Sequence, residues 1–478
     1  MTEGTSLPRH LRGRFAPVPE EREATGLTVR GTLPPELDGR YLRNGPNPRP
    51  GGAGGHWFTG SGMLHGIRLR GGHAEWYRNR WVRTRELAGH PFVREDRTLD
   101  LAATPANTHV IRHAGMVLTL CEAGLPYWVT EELETVGPYD FGGRLRTAMT
   151  AHPKEDPVTG ELHLFGTGFT PPYLAYHRVG AQGELLDSRP VAVPGPTMMH
   201  DFAVTEHHIV WMDLPVVFDP GLAGRGGMPY RWDEEYGARL GTMSRAPGSA
   251  DVRWYDIDPC YVFHVGNAYE DAHGRIVLDA VRHDPAGFRH TWSGMGGSTG
   301  FGGSTGVSGP TGFGGTTRFG GPNGPGGPAG RREPGGSPAV PSVLHRWTLD
   351  PGTGRVAESP LDDRDAEFPT HNETLTGSRH RYLYTVSGDG VAKHDLTTGT
   401  RRLHRTPGGR HAGEAVFVPA ADGSGEDAGW LLSLVSDDHG GAGGLLVLDA
   451  RELTQQAVVE LPYPVPAGFH GSWLPEVP

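Results

Sequence analysis

A chain of 478 residues with 74 glycines, 42 prolines and a formal charge of −11 exceeds one ordinary packed core, so it forms either several domains or one radially repeated body. Glycine and proline recur between short apolar runs along the whole length, which favours the repeated body, with many strands joined by tight turns. The acidic balance leaves no footprint for nucleic acid, and two cysteines, Cys121 and Cys260, supply neither a disulfide framework nor a thiolate metal site.

In chain order, residues 1–25 read as an N-terminal extension. Residues 1–11 contain no apolar signal core, and no window approaches a spanning helix. A cytoplasmic location is expected, with peripheral membrane contact left open. The first hairpin is 63–69 and 74–82 around Gly71-Gly72. Strand-length apolar runs follow at 108–112, 117–121, 162–165, 174–178, 202–204, 209–212, 252–257 and 276–281, then at 343–349, 382–386, 391–396, 415–418, 430–435 and 445–449. The fold class is all-β. Roughly two hairpins per sixty to seventy residues predicts about seven four-stranded blades, a single β-propeller domain over 1–478 without a sharp sequence repeat. One short helix is predicted at 233–240. Residues 293–341, almost entirely Gly, Ser, Thr and Pro, are expected to form a disordered insertion, because they bury too little apolar surface to offset ordering entropy.

Four histidines stand apart from the others. They lie in Ala151-His152-Pro153-Lys154, Met199-His200-Asp201-Phe202, Phe263-His264-Val265-Gly266 and Phe469-His470-Gly471-Ser472-Trp473, each at the end of an apolar run. Their wide separation excludes a zinc-finger or helical i, i+4 site, so a shared centre requires a fold that returns distant segments to one axis. Four neutral imidazoles suit Fe(II), Zn or Cu, and a zinc held by all four would be closed and structural. The remaining histidines, His56, His109, His113, His283 and His380 among them, read as ordinary surface or hydrogen-bonded residues. Glu122, Glu367 and Glu414 each border an apolar run, where an unpartnered carboxylate is costly. Each suits a carboxylate that orients a ligating imidazole.

Further motifs run through nearly the whole chain: Leu33-Pro34-Pro35-Glu36-Leu37-Asp38-Gly39, Arg43-Asn44-Gly45-Pro46-Asn47-Pro48, Gly60-Ser61-Gly62-Met63-Leu64-His65-Gly66, Ala106-Asn107-Thr108, Asn267-Ala268-Tyr269-Glu270 and Glu367-Phe368-Pro369. With the four histidine motifs, they resemble the carotenoid cleavage oxygenases. The resemblance implies a seven-bladed propeller with an axial metal site, and a dome of loops and short helices over an apolar tunnel. It makes His152, His200, His264 and His470 ligands of one Fe(II) per chain, backed by Glu122, Glu367 and Glu414. It sets Thr108 beside an open iron position, and it leaves His152 as the ligand without a carboxylate. The implied reaction uses O2 to cleave a C=C bond of an apolar polyene, a carotenoid or apocarotenoid, to two carbonyl products.

Three alternatives stay open. Stilbene-cleaving members typically carry a lysine just before the first glutamate, where this chain has Cys121, and use a nearby tyrosine; none occurs between Arg78 and Pro126. A propeller hydrolase or lactonase would present Asp, Glu and Asn oxygens at the hub. A non-catalytic propeller that binds a partner protein would hold no stoichiometric iron. Tyr127, Trp128, Phe169 and Phe263 adjoin the motifs and are candidates for the tunnel lining.

Overall fold

The computed structural model describes residues 7–49, 56–223, 228–296, 342–388, 390–421 and 423–476. Among them, seven antiparallel sheets of four to six strands and one small ribbon, Val216–Phe218 with Tyr230–Trp232, account for the sheet structure. The seven sheets are the blades of a β-propeller. The leading strands of blades 2 to 7 are His109–His113, Lys154–Glu155, Ala203–Val204, Val265–Glu270, Glu367–Thr370 and Val416–Pro419. Blade 1 is closed by both ends of the chain: the C-terminal strand Gly471–Pro475 pairs with Gly39–Pro46, and Gly62–Arg70 and His73–Trp81 follow outward. The leading strands of blades 4 and 5, 5 and 6, 7 and 1, and 1 and 2 lie against one another along the inner ring.

The apolar runs become strands because alternate residues face the seams between blades. Trp347, Ile276 and Leu278 of blade 5 meet Val210, Met212 and Leu240 of blade 4 in the largest seam. The seam between blades 5 and 6 is small in apolar content, with Val281, Leu344 and Leu383 at its centre. Polar links reinforce it. Asp279 accepts two bonds from Arg346 at 2.7 Å, His380 Nε2 lies 3.2 Å from Asp279, and Asn267 donates to the Leu375 and Ser378 carbonyls.

Four hairpins share one turn. Asp156, Asp350, Asp395 and Asp449 each accept, through Oδ1, the N–H groups two and three residues on. In the first three a glycine follows at positive φ (Gly160, Gly354, Gly399), where other residues are strained. This Asp-x-x-Thr-Gly pattern is an internal repeat that a reading of apolar runs passes over.

Two expectations about helices are corrected. Residues 233–240 do not form one: Asp233 closes a single turn, Gly237 takes φ +82°, and the chain then enters the strand Arg239–Ser244. The helix lies instead at Pro285–Gly296. Asp284 starts it, accepting the Gly287 N–H at 2.6 Å ahead of a proline suited to the first helical position. Phe288 and Trp292, one turn apart, anchor it on Phe263, Tyr261 and Phe58. The helix thus takes 293–296 from the expected insertion; residues 297–341 lie outside the described part, as do the first six of the N-terminal extension. No helix among the described residues is long and apolar enough to cross a membrane. Cys121 and Cys260 are free and buried.

Candidate metal centre

His152, His200, His264 and His470 lie just ahead of the strands Lys154–Glu155, Ala203–Val204, Val265–Glu270 and Gly471–Pro475 of blades 3, 4, 5 and 1, the last two directly adjacent, so the propeller itself delivers them to its axis. Their ligand nitrogens all lie within 4.8 Å of one another. His152 Nε2 and His200 Nε2 approach to 3.1 Å. All four rings are buried.

Carboxylates orient three of the rings. His264 Nδ1 donates to Glu367 Oε2 at 2.5 Å, and His470 Nδ1 donates to Glu414 Oε1 at 2.8 Å. His200 Nδ1 lies 2.5 Å from Glu122 Oε2, a close contact outside hydrogen-bond alignment. A proton kept on Nδ1 leaves the Nε2 lone pair facing inward, as a metal ligand requires. The carboxylates are held in turn. Glu414 Oε2 accepts the Gly471 N–H, and Glu367 accepts the Phe368 N–H and His283 Nε2. Gly471 is required by space, since a Cβ there would come within 2.9 Å of the Leu42 carbonyl and the Tyr41 hydroxyl.

His152 has no carboxylate partner among the described residues. Its own N–H donates to Thr150 Oγ1 at 3.0 Å, and the preceding Ala151 carbonyl accepts His109 Nδ1–H at 2.9 Å. Asp201 ties the three adjoining blades together, pairing with Lys154 at 2.8 Å and accepting the Phe202 and Val265 N–H groups.

The electrostatics suit a cation. Burial, and then the neighbouring imidazoles, hold His152 and His470 well below the usual histidine range, so both are neutral at pH 7. Burial opposes ionisation of Glu367 too, yet His264 and His283 beside it hold its carboxyl well below the usual range. Burial likewise works against charge on His200, but Glu122 outweighs it and raises this imidazole. Four imidazole nitrogens, three of them backed by carboxylates, fit a divalent transition metal and offer no oxygen set for a hard cation such as calcium.

Above the imidazoles opens a cavity of about 340 Å³ with mostly apolar walls. Trp57, Phe58, Phe92, Phe263, Phe368 and Phe469 supply its aromatic surface, and Thr291 and Met295 bring the helix to its edge. Thr108 lines it with His200, His264 and His470, its hydroxyl donating to Asn107 Oδ1 at 3.0 Å. Of the four aromatic candidates only Phe263 reaches the cavity. The Tyr127 hydroxyl is bonded to the Ala102 carbonyl, Trp128 is 40% exposed, and Phe169 packs on Phe218.

His283, His109 and Phe368 were missed as parts of the site. His283 reaches the far oxygen of Glu367 from the neighbouring strand of blade 5. Phe368 stacks on His264 with ring centroids 4.8 Å apart, from a left-handed backbone at φ +48° that few non-glycine residues adopt. The Glu-Phe-Pro motif carried that signal; nothing local marked His283. No tyrosine lies between Arg78 and Pro126 in the sequence, but the fold brings one from elsewhere into the electrostatic reach of Glu122 and Cys121. Tyr230 arrives from the ribbon, where burial, with Glu122 and Cys121 adding to it, pushes its phenol up.

Residues 15–475 match the family model described as retinal pigment epithelial membrane protein. A carotenoid cleavage oxygenase of Mycobacterium tuberculosis (strain ATCC 25618 / H37Rv) is 38% identical over 98% of this chain and 97% of its own length. Carotenoid 9,10(9',10')-cleavage dioxygenase 1 of Phaseolus vulgaris is 31% identical over 99% of this chain and 90% of its own. Among solved structures, Pseudomonas brassicacearum lignostilbene dioxygenase has a TM-score of 0.80 at 25% identity, over 98% of this chain and all of its own. Cobalt-substituted Synechocystis apocarotenoid oxygenase has a TM-score of 0.76 at 25% identity, over 96% of this chain and 97% of its own.

Proposed function

The chain belongs to the carotenoid cleavage oxygenase family, and from that premise we propose that it is an Fe(II)-dependent dioxygenase that cleaves one C=C bond of a carotenoid or apocarotenoid to two carbonyl products. One observation carries the reading: four imidazoles converge on the propeller axis, three of them set against carboxylates, and those three, His200, His264 and His470, line a cavity with aromatic walls. His152, His200, His264 and His470 hold the iron, and Glu122, Glu367 and Glu414 keep the last three aligned. When bound, iron supplies the binding and activation of O2.

Everything else is assigned to side chains of this chain. Phe58, Phe263 and Phe469 hold the polyene by apolar contact and exclude water from the reacting bond. Phe368 braces His264. Thr108 stands beside the imidazoles with its hydroxyl already committed to Asn107, so it shapes the space above the metal and moves no proton. No general acid or base is needed, because both atoms of O2 end as carbonyl oxygens and no proton changes place.

The likeness to a lignostilbene dioxygenase supports a second reading, cleavage of a stilbene. Against it, the thiol at Cys121 in the cavity wall is pushed up to about 11 by burial. A neutral thiol there gives a phenol none of the charge-assisted hydrogen bonding that an ammonium at this position would supply. Iron-loaded protein given apocarotenals, full-length carotenoids and resveratrol in parallel decides between the readings. Aldehydes are expected from the polyenes and none from resveratrol; the opposite pattern overturns the assignment.

A further inference from the structure

Three carboxylates line the cavity: Glu86, Glu122 and Glu367. Glu122 and Glu367 face metal-site imidazoles. Glu86 has no such task. Its carboxylate meets Ser61 Oγ at 3.2 and 3.4 Å, beyond the usual range for an O–H···O bond. Ser61 has one hydroxyl proton to give and no second hydrogen-bond donor reaches Glu86 among the described residues, so most of its acceptor capacity goes unmet there. The Arg49 cation acts on it only through its charge. Burial pushes its carboxyl up.

A second group on the same stretch of chain points the same way. Thr104 is 2% exposed and lines the cavity, and its Oγ1 has no hydrogen-bond partner among the described residues. Glu86, Phe92, Ala103, Thr104 and Pro105 all come from the crossing between blades 1 and 2. Thr84 Oγ1 closes the turn before Leu87, and Asp100 accepts from Arg85 at 2.9 Å, so the crossing is pinned at both ends. An all-hydrocarbon substrate against this crossing would strip water from Glu86 and Thr104 and give nothing back, which costs on the order of 1–3 kcal/mol per group.

We propose that Glu86 and Thr104 form a hydrogen-bonding subsite that recognises a hydroxylated end ring of the substrate, Glu86 accepting the hydroxyl proton and Thr104 providing a second polar contact. The proposal rests on the polyene-cleavage reading and adds the polarity of the end group. It leaves the chemistry at the double bond untouched.

The test compares a 3-hydroxy-apocarotenal with its 3-deoxy counterpart in wild type, Glu86→Gln, Glu86→Leu and Thr104→Val. Binding is read without O2 by quenching of tryptophan fluorescence, and cleavage with O2 by product analysis. Wild type should prefer the hydroxylated compound by about tenfold, a hydrogen bond's worth of binding, in Kd and in KM. Glu86→Leu should bring that preference to near unity, while Glu86→Gln and Thr104→Val fall between. Equal losses on both compounds in Glu86→Leu, as a merely structural role would give, overturn the subsite. So does an unchanged preference. Failure of wild type to cleave either compound instead overturns the polyene reading on which the subsite depends.

Discussion

At the hub nearly every polar group has an assigned partner; on the cavity wall two, Glu86 and Thr104, are left largely without one among the described residues. Glu367 alone serves His264, His283 and the Phe368 amide, and Glu414 serves His470 and the Gly471 amide. On the wall, among the described residues, the Glu86 carboxylate has only the long contact with Ser61 and Thr104 Oγ1 has no hydrogen-bond partner. Satisfied groups held by packed strands are expensive to move, and they suit a reaction centre that must keep one geometry. Unsatisfied groups on a crossing loop await a ligand and suit discrimination. The hub therefore accounts for what the protein does, and the wall for what it acts upon.

The largest effect is expected at the hub. His264→Ala should leave iron content below about a tenth of wild type, since metal affinity depends on the full ligand set, and should abolish cleavage. Plasma emission and product analysis read both. Glu367→Gln and Glu414→Gln should each lower iron affinity or activity by about 10–100-fold. Thr150→Val, behind the ligand without a carboxylate, should cost severalfold at most. A larger loss in Thr150→Val than in Glu367→Gln would break the view that carboxylates hold the hub.

At the wall the effect should separate from the metal. Phe288 is fully buried on the inner face of the helix that borders the cavity. Phe288→Ala should cost about 3–5 kcal/mol of stability and raise KM for the polyene, with iron still bound stoichiometrically below the melting temperature. Loss of iron in step with KM would show that the two regions do not act separately.

The smallest effect lies far from both. Glu270 joins blade 5 to blade 4 through Thr205, His207 and His208; burial alone would raise its carboxyl, but these bonds hold it down to about 2. A depressed carboxylate contributes stability that is complete above its unfolded value near 4.5 and is lost as pH falls toward 2. Wild type should therefore melt above Glu270→Gln at pH 6, with the gap narrowing between pH 4.5 and 2 and iron content equal at pH 7. A gap that persists at the acid end would contradict the sign.

The two regions also differed in how far the sequence revealed them. The ligand motifs lie where apolar strands begin, so residue type and local context mark them, and most predicted runs match strands to within a few residues. The outer strands escaped notice: Arg355–Asp365 and Thr400–Arg405 are half exposed and rich in charge, so they lack an apolar face to read. The wall was largely illegible. Residues 84–105 follow no period, and the helix Pro285–Gly296 runs straight into Gly/Ser-rich sequence that masks its Asp-Pro start. His283 could not be placed because its partner Glu367 is brought to it only by the packing of blade 5 against blade 6.

The most direct test of the central claim is to load the protein anaerobically with Fe(II), remove excess metal, admit O2 with an apocarotenal, and count iron, oxygen and aldehyde in the same sample. One iron per chain and one O2 consumed for each pair of carbonyl fragments is the predicted result. Stoichiometric iron with neither oxygen uptake nor carbonyl product from any polyene or stilbene would contradict it.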